Sequence, residues 1–173
     1  MTSRVAWLAL AGLAACSPRT PASGRGEPTP YGEPGAAAAA DAPVITLERM
    51  PCFGTCPVYQ VSLARSGAVR FVGKQHVTTQ GAAAAEIPGE RVDSLLGALE
   101  RAGYFDLADA YVKGEPACGM YATDSPTVIT SVTAGGRSKT IRHDYGCHGA
   151  PRKLATLERL IDDVAGTDRW TGR

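Results

Sequence analysis

Alternation of apolar and polar residues dominates the chain after residue 43. Residues 44–49 and 58–65 place apolar side chains at every second position, a pattern typical of strands with one buried face. Ser66-Gly67 then predicts a hairpin turn into a strand that returns to Gly73. We expect two further short strands, at residues 76–79 and 83–87.

The pattern changes to a helical period after Pro88. Apolar residues recur at i, i+3, i+4 and i+7, so they form one stripe that faces a core. The stripe comprises Val92, Leu95, Leu96 and Leu99. Gly103 is a fitting end for this helix. Tyr104, Phe105 and Leu107 are then expected to fold under the core as a short turn.

A second hairpin and a second helix complete the pattern. Residues 127–133 carry the strongest strand signal in the chain, and Gly135-Gly136 turns them into a partner strand at 139–145. Pro151 opens the last helix, whose apolar stripe comprises Leu154, Leu157, Ile161 and Val164. Because hairpins dominate, the sequence predicts an α+β fold with a mostly antiparallel sheet and two amphipathic helices on one face.

The N-terminus has the pattern of an export signal. Arg4 precedes an apolar run at residues 5–13, which is too short to cross a bilayer core of ~30 Å as a helix. The segment 13–16, Leu-Ala-Ala-Cys, resembles the lipobox of bacterial lipoproteins. That resemblance implies a signal peptide at 1–15 and acyl chains on Cys16. In Gram-negative lipoproteins, an Asp directly after the lipidated cysteine retains the protein at the inner membrane. This chain has Ser17 there, so the resemblance favours the outer membrane, facing the periplasm.

Residues 16–43 predict a disordered linker after the lipidated cysteine. From Ser17 onward the segment is rich in Pro, Gly and Ala and lacks Val, Ile, Leu, Met and Phe, so it has too little apolar surface to fold. Residues 44–173 then form a single domain. We expect the membrane, reached through the lipid anchor, to be one partner. The other partner, protein or small molecule, is not indicated by the sequence.

Composition excludes one broad class of function. The chain has 173 residues and a net charge of +1, with 18 basic residues scattered among 17 acidic ones. A nucleic-acid-binding face normally shows clustered Lys and Arg, so no nucleic-acid partner is expected. We also predict no cofactor and no catalytic residue.

Four cysteines remain in the domain, and export favours disulfides among them. Cys52 and Cys56 flank Gly54, which allows a tight turn, so we expect them to pair. The second hairpin returns the chain to its start, which favours a Cys118–Cys147 bridge. Four cysteines allow three pairings, and the two rival pairings stay open at this point.

Two metal sites are alternatives to the disulfides. Cys-x-x-x-Cys-Pro at 52–57 resembles the spacing of Sco-type copper chaperones, with His143 or His148 as a third ligand. This alternative makes the protein a periplasmic copper-binding or thiol-redox protein. A zinc site from Cys52, Cys56, Cys147 and His148 is a second arrangement, although structural zinc more often uses Cys-x-x-Cys spacing.

A hydrolase is the remaining alternative. Ser125, His143 and either Asp124 or Asp144 contain the residue types of a catalytic triad. No Gly-x-Ser-x-Gly elbow marks the serine, and residues 123–126, Thr-Asp-Ser-Pro, are typical of a turn that enters a strand.

The segment 51–59, Pro-Cys-Phe-Gly-Thr-Cys-Pro-Val-Tyr, resembles the C-x-G-x-C-P-x-Y signature of an uncharacterised bacterial family, a domain of unknown function whose members often look like lipoproteins. The likeness covers the domain from Ile45 onward. It extends to Gly67, Gly73, the helix ending near Tyr104-Phe105, residues 124–127 and residues 157–170. The resemblance implies the domain limits and no activity. We therefore expect a lipid-anchored extracytoplasmic lipoprotein that binds a partner or has a structural role in the envelope, and is not an enzyme.

Overall fold

One seven-stranded sheet organises the domain in the computed structural model, which describes residues 42–172. The strands are β1 Pro43–Arg49, β2 Val58–Ala64, β3 Ala68–Gln75, β4 Gly81–Glu86, β5 Ala110–Tyr111, β6 Thr127–Ala134 and β7 Arg137–Asp144. Their order across the sheet is β4-β3-β2-β1-β6-β7-β5. Of the strand pairs in residues 42–172, only β5 and β7 are parallel. The prediction of an α+β fold with a mostly antiparallel sheet is therefore confirmed.

Within residues 42–172, three α-helices accompany the sheet: α1 Gly89–Arg101, α2 Arg152–Ala165 and α3 Asp168–Thr171. Two 3-10 helices, Tyr104–Asp106 and Pro116–Cys118, lie between α1 and β6. All four residues of the predicted α1 stripe are buried. The α2 stripe is buried at Leu154, Leu157 and Ile161, whereas Val164 is only half-buried. None of the helices that the structure describes is long and apolar enough to cross a membrane.

The core lies against one face of the sheet. Ile45 and Leu47 of β1 are fully buried, while the intervening Thr46 is half-exposed. Leu47 pairs with Val61 on β2 and with Thr130 on β6, so the buried positions of neighbouring strands stand in one row. The helices α1 and α2 contact each other, and α2 also contacts β2.

The turn after α1 folds under this core as predicted. Tyr104 is fully buried, and its hydroxyl lies 2.7 Å from Oγ1 of Thr130 and donates to the Thr130 carbonyl at 3.1 Å. Burial raises the pKa of Tyr104 to about 12. A neutral phenol therefore satisfies the one threonine hydroxyl that points from β6 into the core.

The strand predicted at residues 76–79 is wrong. The chain bends there, and His76 has a φ of +53°, which is incompatible with a strand. The amide of Thr79 and the hydroxyl of Thr78 donate to the carbonyl of Trp170 at 2.9 and 2.7 Å. Both donors thus bond to the C-terminal helix region, not to another strand. The sequence pattern also missed β5, α3 and the 3-10 helix at Pro116–Cys118.

The expectations for the N-terminus lie outside the described residues. They concern the signal peptide at 1–15, the lipidated Cys16 and the linker up to residue 41.

Gly67 is the position where the first hairpin leaves no room for a side chain. Its φ is +100°, and an added Cβ would collide with the carbonyl oxygen of Ile87. The amide of Ile87 donates to the Gly67 carbonyl at 3.0 Å, so the close approach joins the β2–β3 turn to the end of β4.

We expect Gly67→Ala to lower the free energy of unfolding by about 3 kcal/mol or more, because it adds a backbone collision to an unfavourable φ. Gly114→Ala is the matched control, since Gly114 has a φ of +93° but nothing within 4 Å of its Cβ position. That variant should lose about 1 kcal/mol. Urea denaturation of both variants measures the difference. Equal losses would contradict the close approach.

Candidate functional site

Arg49 begins a network of polar side chains at the end of β1. It is in phase with Ile45 and Leu47, so it occupies a core-facing position of the strand. Its Nε donates to Oδ2 of Asp162 at 2.9 Å and to the hydroxyl of Tyr59 at 3.0 Å, and its Nη2 also donates to Asp162 Oδ2. The side chains of Arg49 and Asp162 are only 16% and 13% exposed.

Asp162 reaches this network from the third turn of α2. Its Oδ1 accepts hydrogen bonds from the hydroxyls of Tyr59 at 2.6 Å and Thr167 at 3.2 Å. Both carboxylate oxygens therefore have two donors each. Tyr59 and Thr167 come from β2 and from the turn after α2, so one carboxylate joins three parts of the fold.

A second carboxylate extends the network into the core. The hydroxyl of Tyr145 accepts from Nη1 of Arg49 at 3.3 Å and donates to Oε2 of Glu158 at 2.8 Å. Oε1 of Glu158 lies 2.8 Å from Nδ1 of His143. Glu158 is 1% exposed. We call these six residues the polar cluster: Arg49, Tyr59, His143, Tyr145, Glu158 and Asp162.

The cluster holds its charges through mutual contacts. Burial of Arg49 opposes its charged form, but the carboxylate of Asp162 and the contacts with Tyr59 and Tyr145 together outweigh this and raise the pKa of the guanidinium. Burial, and then the charge of Asp162, raise the pKa of Tyr59 well above its ordinary value. Burial and Glu158 likewise raise the pKa of Tyr145. The guanidinium thus stays charged and both phenols stay neutral near pH 7.

A cleft of about 610 Å³ opens over the Asp162 side of the cluster. Its floor contains Arg49, Tyr59 and Tyr145. Its rim carries both signs of charge on exposed side chains: Arg159, Asp163 and Asp168. Pro57, the residue directly after Cys56, also lines the cleft. Chemically, the cleft offers a preorganised polar floor with two phenol rings and a charged rim.

Both expected disulfides are present, Cys52–Cys56 and Cys118–Cys147. They lie at the same end of the sheet as the cleft, where β1 and β7 end and β2 and β6 begin. Their surroundings differ. Cys118 and Cys147 are buried at 1% and 4% exposure, whereas Cys52 and Cys56 are half-buried in a loop whose Phe53 is 88% exposed.

Backbone hydrogen bonds hold the Cys52–Cys56 loop against the start of β6. The amide of Met50 donates to the carbonyl of Thr127 at 2.9 Å, and the amide of Phe53 donates to the carbonyl of Asp124 at 3.2 Å. The loop is therefore held in two ways. The disulfide closes it, and the two hydrogen bonds attach it to the segment that leads into β6.

The metal alternatives do not assemble in this arrangement. The sulfurs of all four cysteines in the described part of the chain are in disulfides, and these ligand sets require thiolates. His143 is bonded to Glu158, and His148 is exposed. Among residues 42–172, no three His, Cys, Asp or Glu side chains are grouped in a way that could hold a metal ion.

The histidine and the two aspartates of the hydrolase alternative have other partners. Asp144 accepts hydrogen bonds from the hydroxyl of Tyr121 and the amide of Gly146, and Asp124 accepts from the hydroxyl of Thr123. His143 pairs with Glu158, which the sequence reasoning did not consider. The bonds that define a triad are thus made to different groups.

Sequence reasoning missed five members of the polar cluster, although two signals were available. Arg49 continues the apolar alternation of β1, so a charge stands at a core position. Glu158 lies four residues after Leu154, within the apolar stripe of α2. A charged residue at a core-facing position requires a buried partner. Arg49 and Glu158 therefore each indicate that a polar partner is buried nearby in the fold.

Comparison with known families decides the identity of the domain. A family model described as a domain of unknown function, DUF6438, matches residues 43–165. The chain belongs to the DUF6438 family. A search of the curated proteins returns no match. The match spans β1 through α2, so both disulfides and the polar cluster lie within the DUF6438 domain.

We expect Asp162→Ala to lower the free energy of unfolding of the DUF6438 domain by about 3 kcal/mol, because it leaves the Arg49 charge without its partner. Glu48→Ala is the control. Glu48 pairs with Lys74 at 2.6 Å across exposed side chains of 32% and 45% exposure, and should contribute less than about 1 kcal/mol. Chemical denaturation measures both. The central role of Asp162 would be wrong if the two variants lost similar amounts.

We expect mild reduction of the folded DUF6438 domain to open Cys52–Cys56 before Cys118–Cys147, because only the first bridge is reachable from solvent. Alkylation followed by peptide mass analysis should find both thiols of residues 50–65 modified while the peptides with Cys118 and Cys147 remain joined. Full denaturant provides the control, since it should remove the difference. Simultaneous opening in the folded protein would contradict the expectation.

Proposed function

We propose that this protein is an extracytoplasmic lipoprotein, anchored through Cys16, whose DUF6438 domain is a non-enzymatic binding unit of the cell envelope. The observation that best supports an extracytoplasmic location is the pair of disulfides within one domain. Disulfides persist in oxidising compartments and are rare in the cytosol. The lipobox-like segment 13–16 and Ser17 support an anchor at the outer membrane, facing the periplasm.

The cleft over the polar cluster is the proposed binding surface. Among the described residues, no buried side-chain nitrogen or oxygen lacks a hydrogen-bond partner, so the floor is already organised before a ligand arrives. Phenol rings with a few fixed polar groups are typical of sites for small ligands. The mixed charges of Arg159, Asp163 and Asp168 favour a polar ligand with both donor and acceptor groups.

The two long helices fit this role if they pack on the same face of the sheet. Their mutual contact supports that arrangement, as does the burial of one row of strand residues against the core. With α1 and α2 together on one face, α2 runs from the core to the cleft. It places Glu158 in the core and Asp162 at the cleft.

A thiol-redox role is the second candidate, and one observation favours it. Cys52–Cys56 is half-exposed beside the cleft, whereas the other disulfide is buried. A bridge that alternates between disulfide and dithiol must be reachable by its redox partner. Copper binding would need the reduced form of this pair, with a third ligand from the exposed His148 or from a His143 released from Glu158.

We expect Cys16→Ala to abolish membrane anchoring, because it removes the thiol that would carry the acyl chain. Phase partition in a non-ionic detergent and membrane fractionation measure the change: the wild-type chain should follow the detergent phase and the variant the aqueous phase. Ser17→Ala is the control and should remain anchored.

Two results would count against the proposal. Unchanged membrane fractionation of Cys16→Ala would exclude the anchor. Free thiols at all four domain cysteines in protein isolated from cells would remove the support that the disulfides give to an oxidising compartment. The second result, accompanied by stoichiometric copper in elemental analysis, would favour the copper alternative instead.

A further inference from the structure

The edge strand β4 lacks the usual protection against pairing with another strand. It ends the sheet, and β3 is its only neighbour in the described part of the chain. Edge strands normally carry Lys, Pro, a bulge or an inward charge. β4 has the sequence Gly-Ala-Ala-Ala-Ala-Glu, and its register with β3 is unbroken from Gly81 to Glu86.

Hydrogen bonding within the hairpin shows which backbone groups point outward. The amide of Ile87 donates to the carbonyl of Gly67 at 3.0 Å. Because bonded and non-bonded pairs alternate along an antiparallel ladder, Ala85, Ala83 and Gly81 bond to β3. The amides and carbonyls of the alternate residues point to the open edge: Ala82, Ala84 and Glu86.

Side chains leave this edge accessible. Ala82 and Ala84 are exposed and present only methyl groups beside their outward amides and carbonyls. Val72 stands opposite Ala82 on β3 and is 42% exposed, one of few large apolar side chains at the surface of the described residues. A second strand could therefore approach to the normal spacing of ~4.8 Å without displacing a side chain.

We infer that β4 pairs in antiparallel orientation with β4 of a second copy of this chain, about a two-fold axis at Ala84. In this register Ala84 faces Ala84 of the second copy, and Ala82 faces Glu86. Each strand directs its free amides and carbonyls at those of the other, which allows about six hydrogen bonds. The two sheets become one continuous sheet.

Charge and symmetry favour a second copy over a foreign strand. The pairing places each Glu86 against an alanine, so no like charges face each other. The net charge of +1 leaves little repulsion between copies. A two-fold pairing also closes after two chains, since each β4 edge is used up.

Cysteine substitution tests the register. In a hydrogen-bonded antiparallel pair the Cα atoms lie ~5.5 Å apart, within the range of a disulfide. The full-length chain carrying Ala84→Cys, extracted in a non-ionic detergent and mildly oxidised, should run mainly as a disulfide-linked dimer. Ala82→Cys is the matched control on the same strand and face. Its two copies would be ~13 Å apart, so it should remain monomeric.

Three outcomes of this experiment would overturn the inference. They are an Ala84→Cys chain that stays monomeric, equal cross-linking of Ala84→Cys and Ala82→Cys, and cross-linking of Ala84→Cys to a different protein. The wild-type chain gives the background level of cross-linking.

Lysine substitution tests the same register without a cross-link. Ala84→Lys would place two like charges against each other at the axis and should weaken association at least about tenfold in sedimentation velocity. Ala82→Lys would instead face Glu86 of the second copy and should leave association unchanged or stronger. At a concentration low enough to dissociate the pair, both variants should keep the wild-type unfolding temperature, since both positions are exposed. Equal weakening by both, or a wild-type chain that sediments as a monomer at every concentration reached, would refute the pairing.

Discussion

The ion pair between Arg49 and Asp162 is the contact on which the rest of this end of the molecule depends. It joins residues 113 positions apart in the chain, from the last residue of the central strand to the third turn of α2. A charge pair with so little exposure is stable only when its remaining donors and acceptors are also bonded. Tyr59, Thr167 and Tyr145 provide those bonds. The pair therefore requires β2, the α2–α3 turn and the segment after β7 to be in place together.

This requirement explains why special backbone chemistry is concentrated near the cluster. Between Arg49 and Tyr59 the chain must leave β1, reverse and re-enter the sheet in register, with both side chains directed at the same carboxylate. The Cys52–Cys56 bridge shortens that connection, and hydrogen bonds to Thr127 and Asp124 hold it against β6. The second disulfide fixes the segment beside His143 and Tyr145 in a similar way. The two disulfides thus hold the β1–β2 connection and the segment after β7 in place beside the cleft.

Periodicity was enough to predict the fold class and both long helices, because burial of one face leaves a direct trace in the order of residues. It failed at residues 76–79, where Thr78 and Thr79 bond to Trp170, a contact 92 positions away for Thr78 that no local pattern contains. The disulfides could be predicted because a tight turn at Gly54 brings Cys52 near Cys56 and the second hairpin brings Cys118 near Cys147. The polar cluster could not be assembled from the sequence, although the position of Arg49 within an apolar alternation showed that a buried partner must exist.

β1 runs through the middle of the sheet and gives the domain two distinct ends. The described chain enters β1 at Pro43, and the strand ends at Arg49, about 20 Å away at the usual rise per residue. The cleft, the exposed Phe53 and both disulfides are all at that far end. The cleft therefore lies at the end of β1 opposite the point where the described chain enters the domain, and a support attached on the N-terminal side would leave the mouth of the cleft accessible to a partner.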